Sequence, residues 1–167
     1  MESVGGTRLM SDLRDLYQEL ILDHQKNPRN FGELPDANHH ANGFNPLCGD
    51  KISLDFNTDE NGLIHDIRFH GSGCAISKAS ASMMTMALKG KTIPEADALF
   101  QVFHHLVLGN LVTEEQIEHL GRLKVFQGIR DYPSRVKCAS LPWHTFKAAL
   151  NHNSKTITTD SDNDSVN

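Results

Sequence analysis

The apolar positions of the chain change period several times, and those changes divide it into elements. Leu13, Leu16, Tyr17, Leu20, Ile21 and His24 recur at helical spacing after a candidate N-cap at Ser11, and Pro28 ends the pattern. Between Asn27 and Pro46 the chain is rich in Pro, Gly and Asn and has no clear period. This predicts a long loop of the kind that often carries function in compact domains. Ile52, Leu54 and Phe56 then alternate with polar residues, predicting a half-buried strand over 51–57. A turn through Asp59, Glu60, Asn61 and Gly62 and a second strand over 63–70 complete an antiparallel hairpin.

Gly71-Ser72-Gly73 breaks the hairpin, and from Ala75 to Lys89 small residues and methionines predict a helix stopped by Gly90. Met83, Met84 and Met86 read as core filler, because unbranched thioethers pack irregular gaps. Thr92-Ile93-Pro94-Glu95 has capping-box spacing with proline in the first turn, opening a helix expected to reach Leu108 and stop at Gly109. Thr113 to Gln116 repeats that grammar for a helix to about Leu120, and a helical pattern over 123–130 is broken by Gly128. Ser140 is expected to cap a last helix with Trp143, Phe146, Ala149 and Leu150 on its apolar face.

The order of helix, hairpin and further helices predicts an α+β fold, a small antiparallel β-sheet packed against segregated helices. The domain is expected to span 11–152. A flexible N-terminus (1–10) precedes it, and a disordered acidic C-terminal tail (153–167) with almost nothing to bury follows.

Length and charge narrow the function. A chain of 167 residues suits one domain, which at this size buries roughly 70% of its unfolded surface without needing a staple. A net charge of −5 argues against a general nucleic-acid binder, which needs a basic face. No apolar run approaches the roughly 20 residues that span a bilayer, and Met1 to Arg14 lacks the apolar core of a secretory signal. The expected location is the cytoplasm, where three cysteines would stay reduced.

Cys48, Cys74 and Cys138 are too far apart for a C-x-x-C site, yet each sits where an element is expected to begin or end. In Asn45-Pro46-Leu47-Cys48-Gly49-Asp50 a carboxylate follows the thiol across a glycine that tolerates positive φ, so both side chains can turn to one point. Cys74 lies just before a helix, whose N-terminus favours thiolate. Three thiolates and one carboxylate complete a tetrahedral zinc site, although such a donor set does not by itself choose the metal. Zinc with four anionic ligands leaves an excess of negative charge, which Lys51, Arg135 and Lys137 are placed to balance or to use in docking. His39-His40 and His104-His105 look metal-like, but adjacent residues do not share a face, so packing and surface roles are expected of them.

Asn45-Pro46-Leu47-Cys48-Gly49-Asp50, Gly71-Ser72-Gly73-Cys74-Ala75-Ile76-Ser77 and Arg135-Val136-Lys137-Cys138 resemble the three cysteine motifs of the IscU/NifU-N scaffold family. The likeness runs from about Leu16 to Leu150 and includes Leu16-Tyr17, Asp23-His24 and Asn27-Pro28. Within that family the chain resembles the SufU branch. Lys137 stands where IscU-type scaffolds carry a histidine, the segment between Cys74 and Cys138 is longer, and Leu141-Pro142-Trp143-His144 is SufU-like.

The resemblance implies a zinc-dependent sulfurtransferase that accepts persulfide sulfur from a SufS-type cysteine desulfurase, for a downstream SufBCD-type assembly complex. It implies Cys48, Asp50, Cys74 and Cys138 as metal ligands, Cys48 as the accepting thiol and Arg135 as a partner-docking residue. A zinc-held thiolate is blunted as a nucleophile, so transfer is expected to begin when a desulfurase histidine displaces Cys48. The alternatives are a scaffold that assembles a [2Fe–2S] cluster, or holds iron, on the same cysteines, and a zinc module that serves only as an interaction domain.

Overall fold

The computed structural model describes residues 15–152 and 155–159. A first helix, α1, runs through the described residues 15–26. Leu20, Ile21 and His24 of its predicted stripe are buried, whereas Leu16 is exposed. Strands β1 (His39–Asn45), β2 (Asp50–Thr58) and β3 (Ile64–Ser72) follow, then helices α2 (Ala75–Leu88), α3 (Ile93–Leu108) and α4 (Glu114–Leu120). A 3-10 segment (Gly121–Asp131), helix α5 (Pro133–Leu150) and a short β4 (Ile157–Thr158) complete the order. The sheet has the order β3-β2-β1-β4, with β1–β2 and β2–β3 antiparallel and β1–β4 parallel. The fold is α+β, as expected, and no helix among the described residues is long and apolar enough to cross a membrane.

Alternation along β2 sends Ile52, Leu54 and Phe56 to one face, where α5 covers them. Asp50 has the same parity, so the strand that builds the core also turns this carboxylate inward, and it is 1% exposed. Opposite it in register stands Asn45 of β1, facing the same way and fully buried. Phe56 meets Phe146 of α5, and Trp143 stacks on Phe103 of α3 at 4.5 Å, which fixes α5 between the sheet and the other helices.

Five expectations are corrected. The segment 27–46 is not all loop, because 39–45 is a full strand. Its inward positions are His39, Ala41, Gly43 and Asn45, and a Cβ on Gly43 would meet Leu141 Cδ1 of α5 at 3.0 Å. With α5 lying that close, inward residues must be small or polar-bonded, and no hydrophobic alternation appears.

The last helix begins at Pro133 rather than at Ser140, so Ser140 is a buried interior residue and Pro142 lies inside the helix. Pro133 in the first turn suits a helix start. Pro142 removes the N–H that would have bonded the Cys138 carbonyl. The segment 121–131 is 3-10 and is not broken at Gly128. Met83 and Met84 are core, but Met86 is 52% exposed.

At the C-terminus, residues 155–159 depart from the tail expected over 153–167. Ile157-Thr158 pair with Gly43-Phe44, the Thr159 N–H bonds Phe44 O at 3.1 Å, and Thr159 is buried. One half-buried isoleucine and one buried threonine suffice because they cover the open edge of β1. The expected N-cap at Ser11, the N-terminal segment 1–10 and residues 160–167 lie outside the described residues.

Candidate metal centre

Three chain segments converge at one end of the sheet. The turn between β1 and β2 carries Cys48 beside Gly49, whose φ of 74° is the left-handed conformation expected there. Cys74 is the N-cap of α2, and its sulfur accepts from Ser77 N–H at 3.5 Å. Cys138 sits in the second turn of α5, not at an element boundary as the sequence suggests.

The ligand atoms of Cys48, Asp50 and Cys138 all lie within 4.8 Å of one another. The Cys138 and Cys48 sulfurs are 3.4 Å apart. Cys74 stands beside this group, its sulfur 4.0 Å from Asp50 Oδ2. Asp50 Oδ1 accepts the Cys74 N–H at 2.7 Å, and Oδ2 accepts Asn45 Nδ2 at 3.0 Å. A Cβ on Gly73 would come within 2.5 Å of Asp50 Oδ1, so this backbone must be glycine for the carboxylate to cap Cys74.

The sulfurs differ in exposure and in charge. Cys48 is exposed, Cys74 half-buried and Cys138 buried. The Cys74 thiol is pulled down to about 6, chiefly by the Cys138 hydrogen bond and next by the Ser77 N–H, against the opposing effect of burial. The Cys138 thiol is pushed up, because it donates to Cys74 and is itself buried. A helix N-terminus that stabilises one thiolate therefore faces a thiol that keeps its proton.

Of the three expected cations, Arg135 is directed at the site. It lies one helical turn before Cys138, is exposed, and is held more firmly protonated by Cys138 and Cys74. Lys51 alternates away from Asp50, and its ammonium lies over the Phe44 ring at 6.0 Å. No described histidine joins the metal-ligating group.

Two contributors escaped the sequence reading of the site. Asn45 Nδ2 reaches Cys138 Sγ at 3.4 Å as well as Asp50, and Thr159 Oγ1 donates to Asn45 Oδ1 at 2.9 Å. The signal for Asn45 was its parity with Asp50 across a tight turn, which is visible only once 39–45 is known to be a strand. Tyr17, counted as core, reaches the same corner, where burial raises its hydroxyl and Arg135 opposes that rise.

Cys48, Asp50 and Cys138 bring their ligand atoms together with the Cys74 sulfur beside them, and sulfurs with one carboxylate oxygen are donors that suit zinc in tetrahedral coordination. The donor set fits that metal.

Comparison with known proteins bears on the same segments. Residues 16–139 match the family model of the NifU-like N-terminal domain. The chain is 42% identical over 140 residues to the zinc-dependent sulfurtransferase SufU of Bacillus subtilis (strain 168), covering 84% of this chain and 92% of that protein. It is 40% identical over 141 residues to the iron–sulfur cluster assembly scaffold protein IscU of Streptococcus pyogenes serotype M1, covering 84% and 86%. Among solved structures it is similar to a protein from Fervidobacterium islandicum AW-1, assigned as an iron–sulfur cluster assembly scaffold for the SUF system. That match has a TM-score of 0.74 and 37% identity over 81% of this chain and 96% of the other.

Proposed function

The chain belongs to the family of the NifU-like N-terminal domain, and we propose that it acts in iron–sulfur cluster assembly as a zinc-dependent sulfurtransferase accepting sulfur from a SufS-type cysteine desulfurase. Cys48, Asp50, Cys74 and Cys138 hold the zinc on this reading. Bound zinc would keep the thiols deprotonated at neutral pH and brings no redox chemistry of its own.

The observation that carries the proposal is the graded exposure of the sulfurs. Cys48 stands exposed at a turn tip beside Leu47, itself 60% exposed, while Cys138 and Asp50 are buried. Only Cys48 offers its sulfur freely to a bulky partner. In the transfer the Cys48 thiolate attacks the terminal sulfur of the desulfurase persulfide. One S–S bond forms on Cys48 and one breaks on the enzyme, whose cysteine leaves as thiolate. No outside oxidant or reductant is needed. Arg135, exposed and facing the sulfurs, orients the incoming persulfide anion or a carboxylate of the partner. The recipient is a SufBCD-type assembly complex, and the reaction belongs to the reducing cytoplasm.

Alanine release by a cysteine desulfurase, measured anaerobically with the zinc-loaded protein, tests the proposal. Strong stimulation that Cys48→Ser abolishes is expected, with persulfide found on Cys48. Absence of stimulation, or persulfide mainly on Cys138, would overturn it. A scaffold reading is favoured by the scaffold name of the 40% identical relative, and it predicts a stable, transferable [2Fe–2S] cluster after anaerobic reconstitution.

A further inference from the structure

A second concave feature lies away from the thiols. Near the C-terminal end of α2 is a cavity of about 360 Å³, within the roughly 300–1,000 Å³ range of small-molecule sites. Cys74 caps the other end of the same helix. Met83, a lining residue, is nine positions further on, roughly 13 Å along the axis at 1.5 Å per residue.

The lining has one sign of charge. Arg29, Lys89, Lys91 and Arg122 surround the cavity, and no Asp or Glu lines it among the described residues. The whole chain has only 16 Lys and Arg and a net charge of −5, so this concentration runs against the overall sign. Arg29 is paired with Asp23 at 2.7 Å, and Lys89 reaches Asp66 at 4.0 Å. Lys91 and Arg122 form no ion pair among the described residues. His24, bonded to Ser82 Oγ at 2.6 Å, also lines the cavity. Burial first, and then the field of Arg29 and Arg122, hold its ring below the usual histidine range.

Buried apolar side chains share the lining with the cations. Met83, Leu99, Leu120 and Leu123 are each less than a tenth exposed. Such an arrangement matches a ligand that is anionic at one end and apolar or aromatic over its body. A hollow of this size also suits a small molecule better than a macromolecular surface. The segment 91–123, between the second and third cysteines, supplies half of the walls.

We propose that this cavity binds a small organic phosphate, its phosphoryl group meeting Lys91 and Arg122 and its body resting on the Leu99–Leu120–Leu123 floor. Arg and Lys together suit a phosphoryl anion, one by its planar fork and the other as a point charge.

The probe is ADP, titrated calorimetrically into the zinc-loaded full chain at about 0.15 M salt, with amide NMR shifts locating the site. Saturable binding is expected, with shifts at residues 119–123. Lys91→Glu combined with Arg122→Glu should weaken it about tenfold or more while retaining zinc, and Arg122→Gln alone should give a smaller loss in an undisturbed fold. Three results would overturn the proposal: no saturable binding at millimolar ADP, equal binding by the charge-reversed protein, or inorganic pyrophosphate binding as tightly as ADP. Equal binding by the variant would point to capture at the zinc site. Tight pyrophosphate binding would remove any role for the apolar floor.

Discussion

Asn45 is where single atoms decide the character of the site. Its amide oxygen accepts from Thr159 Oγ1 at 2.9 Å and from Leu47 N–H at 3.3 Å, which leaves Nδ2 to donate toward Asp50 and Cys138. The orientation is therefore held from outside the ligand set. Asn45→Ala leaves a buried carboxylate short of a donor, a loss of about 1–3 kcal/mol. Zinc retention should fall by about 10- to 100-fold, as is usual when a group that orients a ligand is removed. Thr159→Ala should give a smaller fall in the same direction. Competition with a chromophoric chelator measures both, and unchanged retention in Asn45→Ala would end the case for this relay. Gly73→Ala should also weaken zinc, because its Cβ would crowd both Asp50 Oδ1 and Ser77 Oγ and break the Cys74 N–H bond to the carboxylate.

At the scale of elements, what was legible depended on whether the signal was local. The two capping boxes form as read, Thr92 with Glu95 and Thr113 with Gln116, because each rests on side chains three residues apart. The hairpin of β2 and β3 was equally plain in its alternation. Strand β1 was not, since Ala41, Gly43 and Asn45 were selected by the closeness of α5 and the needs of Asp50 rather than by hydrophobicity. Pro142 hid the true start of α5, because proline ordinarily ends a helix and here lies within one. The local motifs pointed to four ligand candidates, of which Cys48, Asp50 and Cys138 bring their ligand atoms within 4.8 Å of one another, but the helix turn that presents Cys138 was not legible.

The α3 cap offers a pH test. Hydrogen bonds from the Thr92 N–H and hydroxyl hold the Glu95 carboxyl below its ordinary 4.5. A depressed carboxyl adds stability that is present above the unfolded value and lost as pH falls through the folded one. Glu95→Gln keeps an acceptor but does not titrate. The difference in melting temperature between wild type and variant should thus shrink as pH falls from about 6 to about 3. A constant difference would mean that the charge contributes nothing to the cap. The effect should be small, because the side chain is open to solvent.

Across the whole molecule the site is a junction of distant chain. Cys48 follows β1, Cys74 starts α2, Cys138 lies in α5, and Thr159 joins through Asn45. The hydrophobic core needs none of these tethers: Phe56, Phe146, Trp143 and Phe103 pack between the sheet and the helices without a ligand residue among them. Metal removal should therefore act locally. Zinc sites in small peptides contribute about 10–16 kcal/mol of binding, against a net domain stability of about 5–15 kcal/mol. Even part of that energy should lower the melting temperature clearly on chelation, while far-UV circular dichroism near 25 °C stays close to that of the loaded protein. Hydrogen exchange should quicken at residues 45–50 and 133–138, and in β4, whose hold on β1 runs partly through Thr159 and Asn45. The centre of β2 and residues 143–149 of α5 should keep their protection. Global loss of protection on chelation would instead make zinc a condition of folding, and the core alone would then be too weak to hold α5 against the sheet.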